Sequence, residues 1–296
     1  LVELTVDQLV NARSNLALCQ LALGGSPTAA VDTWVAGAAN GHLESHFYPA
    51  VVAERAGDQR RADRIASELS LGALRELTTT MSDGARDSVG WFADWCLRGL
   101  EILERHAPLA PGGPEAVPVD RVRNWPAVTE GDPIGPEVWQ AIRAGEAGDV
   151  DEARVRLRGI REQGTPAERW LAITELGSFL VDDPDPAVSR EGWDLLVEGL
   201  RAPYRDLVAR NAWNIAQTLG LRTAGGTGFS SIAVELGDGA AMVGVAQVLV
   251  DSGRVDEGMV LAERVLDQFE AGSSERARAR ALRARVWAER QPEDPR

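Results

Sequence analysis

His42 and His46 stand four residues apart in His42-Leu43-Glu44-Ser45-His46, so a helix here would carry both imidazoles on one face, where they could hold a metal. The order lacks the HExxH arrangement that sets a glutamate base beside the metal, and the remaining histidine, His106, lies far along the chain. Asp182, Asp183 and Asp185 gather three carboxylates in five residues, but Pro184 and Pro186 stiffen a loop that calcium would need to fold around itself. Asp185 is better placed to cap a helix near Ala187. Gly225-Gly226-Thr227-Gly228 could cradle an anion ahead of a helix. It follows helical pattern rather than a strand and has Ser231 where a dinucleotide fingerprint needs its third glycine, so it reads as a flexible loop before a short helix at 229–236. The most suggestive polar set is Asn11 with Asn15, and Asn211 with Asn214, each pair inside helical pattern. Asparagine forms helix poorly, so such pairs call for a reason, the ordinary one being a solvated or interhelical amide. No residue is assigned a catalytic role, and no cofactor is expected.

The 296 residues include 45 acidic and 31 basic side chains, for a net charge of −14, and every basic residue other than histidine is arginine. A chain without lysine excludes the P-loop, protein-kinase and pyridoxal-phosphate chemistries that depend on one. The acidity argues against wrapping nucleic acid. Any carboxylate or phosphate must be recognised by planar arginine forks. Cys19 and Cys96 lie in apolar helical patterns, which argues against a disulfide framework and for a reducing, cytoplasmic setting. No run is long and apolar enough to predict a membrane span. Abundant Ala, Gly and Val beside an arginine-only basic set fits a GC-rich genome.

The elements that must position these residues read as helices. Leu9, Ala12, Leu16, Cys19 and Leu23 fall at three- and four-residue steps. Further helices are expected from Pro27 to about 40, 43–56, 59–77 and 91–106. Seven of the fifteen prolines then lie between Pro108 and Pro136, which excludes helix and predicts a linker or draped segment pinned by Val119 and Trp125. Helical pattern resumes at Glu137, giving three regions: an N-terminal helical arm at 1–107, the proline-rich segment at 108–136, and a C-terminal arm at 137–296. The tryptophans within helices are expected to fill gaps between stacked hairpins. The last helix carries Arg276, Arg278, Arg280, Arg283, Arg285 and Arg290 outside an apolar stripe of Ala279, Leu282 and Val286, and reads as a solvating cap. The sharper alternative is docking on an acidic partner or on a second copy of this acidic protein.

Glycines keep a regular beat. Gly24-Gly41-Gly57 and Gly220-Gly237-Gly253 repeat the same two spacings, and Gly148 to Gly164 repeats the second. A glycine that ends each helix makes the beat one helix plus one turn, so two units give a helical hairpin of solenoid period. The stretch Ala29 to His42, with Ala38-Ala39-Asn40-Gly41-His42 at its end, resembles the second helix of a Sel1-like repeat. Ala240 to Ala246 followed by Asp251 to Gly258 is similar to the next such hairpin, and Gly148-Asp149-Val150-Asp151-Glu152-Ala153 resembles the turn opening the second helix of a tetratricopeptide repeat.

The resemblance implies an all-α superhelix of hairpins that binds a protein or peptide partner in a concave groove lined by the first helix of each hairpin. Asn15 and Asn211 would then bracket the backbone of an extended peptide, supported by Asn11 and Asn214. Tyr204 and Arg210 would stack on it and bind a carboxylate. Two other readings stand beside this one: an all-helical enzyme using carboxylates with a metal at His42 and His46, and the regulatory repeat region of a longer protein, which the absence of an initiator methionine permits.

Overall fold

The computed structural model describes residues 15–21, 23–38, 43–106, 110, 112–130, 133–221 and 223–290. Among them there are helices, turns and bends but no strand, and no helix is long and apolar enough to cross a membrane. The chain divides into two units.

The first unit holds the described residues up to 106 together with 182–190. Helical residues 15–21 (α1) precede α2 (Pro27–Ala38), α3 (Leu43–Arg55), α4 (Gln59–Ser67), α5 (Leu71–Asp87) and α6 (Trp91–His106). α3 packs against α2 and α4, and α5 against α6. Their core is aromatic. Trp34, Tyr48 and Trp95 are buried with ring centroids 4.7–5.9 Å apart. Such ring pairs contribute about 0.5–1.5 kcal/mol each beyond the area they bury. The single helix expected over 59–77 is two helices. Ser70 adopts an extended backbone and its hydroxyl accepts from the Ala73 N–H at 3.2 Å, so a capped new helix begins at Leu71. Residues 182–190 join this unit because the buried Leu71 N–H donates to Ser189 Oγ at 3.0 Å and Arg75 pairs with Asp182 at 3.0 Å.

The second unit holds the described residues 110–181 and 191–290. A short helix, α7 (Val119–Val122), leads to α8 (Pro136–Glu146), α9 (Val150–Gln163), α10 (Pro166–Val181), α11 (Pro186–Gly199, of which 191–199 belong to this unit), α12 (Arg205–Leu219), α13 (Ala224–Leu236), α14 (Gly239–Asp251), α15 (Val255–Gln268) and α16 (Ser274–Arg290). The helices pack in adjacent pairs, α8 with α9, α12 with α13 and α14 with α15, while α10 contacts α8 and α12. The glycine beat has a backbone basis. Gly57, Gly148, Gly237 and Gly253 all have positive φ, and Gly237 closes α13 in the left-handed conformation. Gly164 keeps a negative φ, and Gly41 lies outside the described residues.

Two features of this unit depart from expectation. Gly225 to Gly228 is the first turn of α13, a helix of 13 residues, with Thr223 Oγ1 accepting from the Gly226 N–H at 3.0 Å. The glycines are there for room: a Cβ on Gly226 would sit 1.9 Å from the Gly220 carbonyl oxygen, and one on Gly228 would sit 2.5 Å from Pro114. The proline-rich segment, expected to exclude helix, holds α7 and single 3-10 turns at 114–116 and 128–130. Val117, Val122 and Val128 are buried, with Val119 and Trp125 only half-buried. Val128 N–H donates to Asp206 at 2.9 Å, Arg205 N–H donates to the Pro126 carbonyl at 3.0 Å, and Arg123 pairs with Glu235, so the strap is tied to α12 and α13.

Candidate functional site

The seam between α10 and α12 collects polar side chains in an otherwise apolar interior. On α12, Leu207, Asn211 and Ile215 follow a four-residue step into the core, and Arg210 and Asn214 lie one position round from them. Asn211 is fully buried. Its amide donates to Thr174 Oγ1 at 2.8 Å and to the Leu207 carbonyl at 2.7 Å, while Thr174 gives its own proton to the Trp170 carbonyl at 3.1 Å. Both neighbours are acceptors, which fixes the amide with nitrogen toward them. Gly199 makes the space, since a Cβ there would lie 2.4 Å from Asn211 Nδ2.

Arg210 sits beside this amide with its side chain 52% exposed, and its guanidinium pairs with Glu175, which is almost fully buried on α10. Burial pushes the Glu175 carboxyl above its ordinary range, and the Arg210 charge and hydrogen bond pull it back. Glu175 in turn raises Arg210. Asp238 caps α14, accepting from the Ala241 N–H at 2.7 Å, and its carboxyl is also raised by burial and pulled back by that cap and by Arg210. Asp206 acts on Arg210 from one turn away, Glu146 on Glu175, and Glu275 on Asp238. Three carboxylates, Glu175, Asp238 and Asp206, therefore act on one guanidinium, with Glu146 and Glu275 acting in turn on two of them, so acidic groups outnumber the basic one here.

Of the residues expected to form a peptide clamp, the structure brings together Arg210 and Asn211, with Asn214 half-buried one turn on and Tyr204 half-buried at the N-terminal boundary of α12. Asn15 is exposed on α1 in the first unit, and Asn11 lies outside the described residues. Asn211 faces the interior, because its amide bonds close the helix seam, and does not present a bracket to a groove. Arg210, expected to receive a ligand carboxylate, already holds one from its own chain. Glu175 and Asp238 are not among the residues that the sequence singles out. Asp238 is readable as a cap after Gly237, whereas Glu175 looks like an ordinary helix residue until Arg210 is folded against it.

His42 and the side chain of His46 lie outside the described residues. His106 Nε2 is 3.1 Å from Asp63, whose carboxyl is lowered chiefly by that hydrogen bond. Among the described residues no group of three or more His, Cys, Asp or Glu side chains is placed to hold a metal. Burial pushes the Cys96 thiol up to about 11, far from the thiolate that reactive cysteines use. The chain matches no family model, no curated protein and no solved structure.

Proposed function

We propose that this chain is a non-catalytic adaptor whose hairpins wind into a superhelix of the tetratricopeptide and Sel1-like kind, and that its second unit holds an extended, positively charged peptide segment. The observation that carries this reading is the set of carboxylates on α10, α12 and the cap of α14, Glu175, Asp206 and Asp238, that act on the half-exposed Arg210, with Glu275 of α16 acting on Asp238. A cationic segment gains Coulomb energy along such a face, and an acidic one is repelled. Arg210 keeps buried Glu175 neutralised, and its remaining N–H groups face peptide carbonyls, with the Asn214 amide one turn on. The buried Asn211 network holds α10 and α12 in register so that these groups stay in place.

Fluorescence anisotropy with a short labelled peptide of alternating Arg and Ala, against its Glu and Ala counterpart, tests the reading. The basic peptide should bind, weaken as salt rises, and lose about tenfold in affinity, about 1.4 kcal/mol, when Asp206→Asn and Glu275→Gln are combined. Preferential binding of the acidic peptide would overturn the charge assignment.

A further inference from the structure

α15 and α16 bury one face each and leave two large apolar side chains outside. Ala262, Val265 and Leu266 of α15 and Ala279, Leu282 and Val286 of α16 are buried, yet Val260 is 70% exposed and Trp287 67%. The two flank a cleft of about 630 Å³ between the helices, with Met259 and Val286 also lining it. The charges beside the cleft are ordered. On α15, Asp256, Val260, Glu263 and Asp267 recur at steps of four, three and four residues, a single helical stripe. On α16, Arg276, Arg280, Arg283 and Trp287 recur at steps of four, three and four as well. One stripe is acidic with an apolar residue in it and the other is basic with an apolar residue in it; Arg264 of α15, which also lines the cleft, stands one position off the acidic stripe. Arg283 reaches Glu263 across the cleft at 3.4 Å, while Asp267 and Arg280, both exposed, have no ion pair among the described residues.

We infer that this cleft is the contact face of a two-fold dimer of the chain. A two-fold axis across the cleft lays the acidic α15 stripe of each copy on the basic α16 stripe of the other and seats each Trp287 in the opposite cleft. A purely acidic partner would suit α16 and be repelled by α15, and a purely basic one the reverse. A second copy satisfies both stripes at once, which is the self-complementarity that a two-fold interface requires. Helices of this length side by side present a face of roughly 25 by 20 Å, which places the contact at the small end of stable interfaces.

Sedimentation equilibrium on the intact chain tests the inference. The wild type should dimerise at tens of micromolar and less readily in high salt. Trp287→Ala should raise the Kd at least tenfold with helicity by circular dichroism unchanged. Asp267→Arg and Arg280→Asp alter exposed residues without internal ion pairs, so each variant should fold yet stay monomeric by itself. Mixed, the two should associate again, because each reversed charge then meets its opposite. A wild type monomeric at several hundred micromolar overturns the inference. So does a dimer indifferent to Trp287→Ala, a single charge variant that dimerises as the wild type does, or a mixture that stays monomeric.

Discussion

In the first unit large rings fill the space between helices, with Trp34, Tyr48 and Trp95 in mutual contact. In the second unit, α11, α12 and α13 meet their neighbours closely at positions with no side chain. Gly226 lies against Gly220, Gly199 against Asn211, and Gly228 against Pro114. The difference lies in what each core can absorb. An aromatic core is set by volume and shape, and a replacement of similar shape leaves most of its packing intact. A glycine contact against backbone has no adjustable partner, so one added carbon moves a helix. Gly226 is the backbone case; at the polar seam the bare Gly199 instead leaves room for a side chain, the Asn211 amide that reaches Thr174.

The largest expected effect breaks the aromatic side of this comparison. Trp95→Ala should destabilise the first unit by about 3–5 kcal/mol in urea unfolding followed by circular dichroism. Trp34→Phe, by contrast, keeps one ring in place and should cost less, roughly 1–3 kcal/mol. The indole N–H of Trp34 has no hydrogen-bond partner among the described residues, so the change removes no polar bond. An equal cost for both variants would show that the rings act through something other than shape.

Next in size is Gly226→Ala, which should cost roughly 2–3 kcal/mol because its Cβ would meet backbone. Gly57→Ala is its control. Gly57 has a φ of +85° and nothing within 4 Å of where a Cβ would stand, so only the left-handed strain of about 1–2 kcal/mol should appear. If the two variants unfold alike, close approach is not what the α13 glycines provide.

The smallest effect sharpens the polar side and depends on pH. Burial raises the Glu175 carboxyl above its ordinary 4.5, so the folded chain binds this proton more tightly than the unfolded chain. Stability at this group therefore rises on acidification from neutral pH toward 4.5. Glu168 runs the other way. The Thr165 and Gly135 N–H groups donate to it at 2.8 Å and lower its carboxyl, so its contribution is present above 4.5 and is lost as pH falls through its lowered value. Thermal unfolding of Glu175→Gln should show a flatter pH dependence between 4.5 and 7, and Glu168→Gln a flatter one below 4.5. The same slopes in both variants as in the wild type would remove these carboxyls from the balance.

Much of this is legible in the chain because it is local. The apolar steps of α6 and α16, Asp185 at the start of α11, where its carboxylate accepts from the Ala187 N–H at 2.8 Å, and the glycines that end α13 and α14 each depend on residues within a turn. The boundary at Ser70 is equally local but weak, one hydroxyl inside a run of good helix formers. Gly225 to Gly228 misleads for a physical reason: glycine loosens a chain by itself and permits close packing in company, and only the company at Gly220 and Pro114 tells which applies. The candidate site is half legible. Arg210 and Asn211 stand out as polar residues in helical pattern, but their partners Glu175 and Thr174 are 35 and 37 residues away in sequence. Periodicity says which face a residue occupies and nothing about what faces it.

The strap at 110–130 has a consequence for how the protein comes to exist. Its ties lead to Asp206, Arg205 and Glu235, at sequence separations of 78 to 112 residues. On a ribosome those valines emerge long before the surface they cover has been made. Ring closure over that many residues is slow, and burial of Val117, Val122 and Val128 must wait for α12 and α13. Synthesis thus contains an interval, set by translation speed, in which a sticky ribbon has no home, and that interval is when a chaperone would have something to hold.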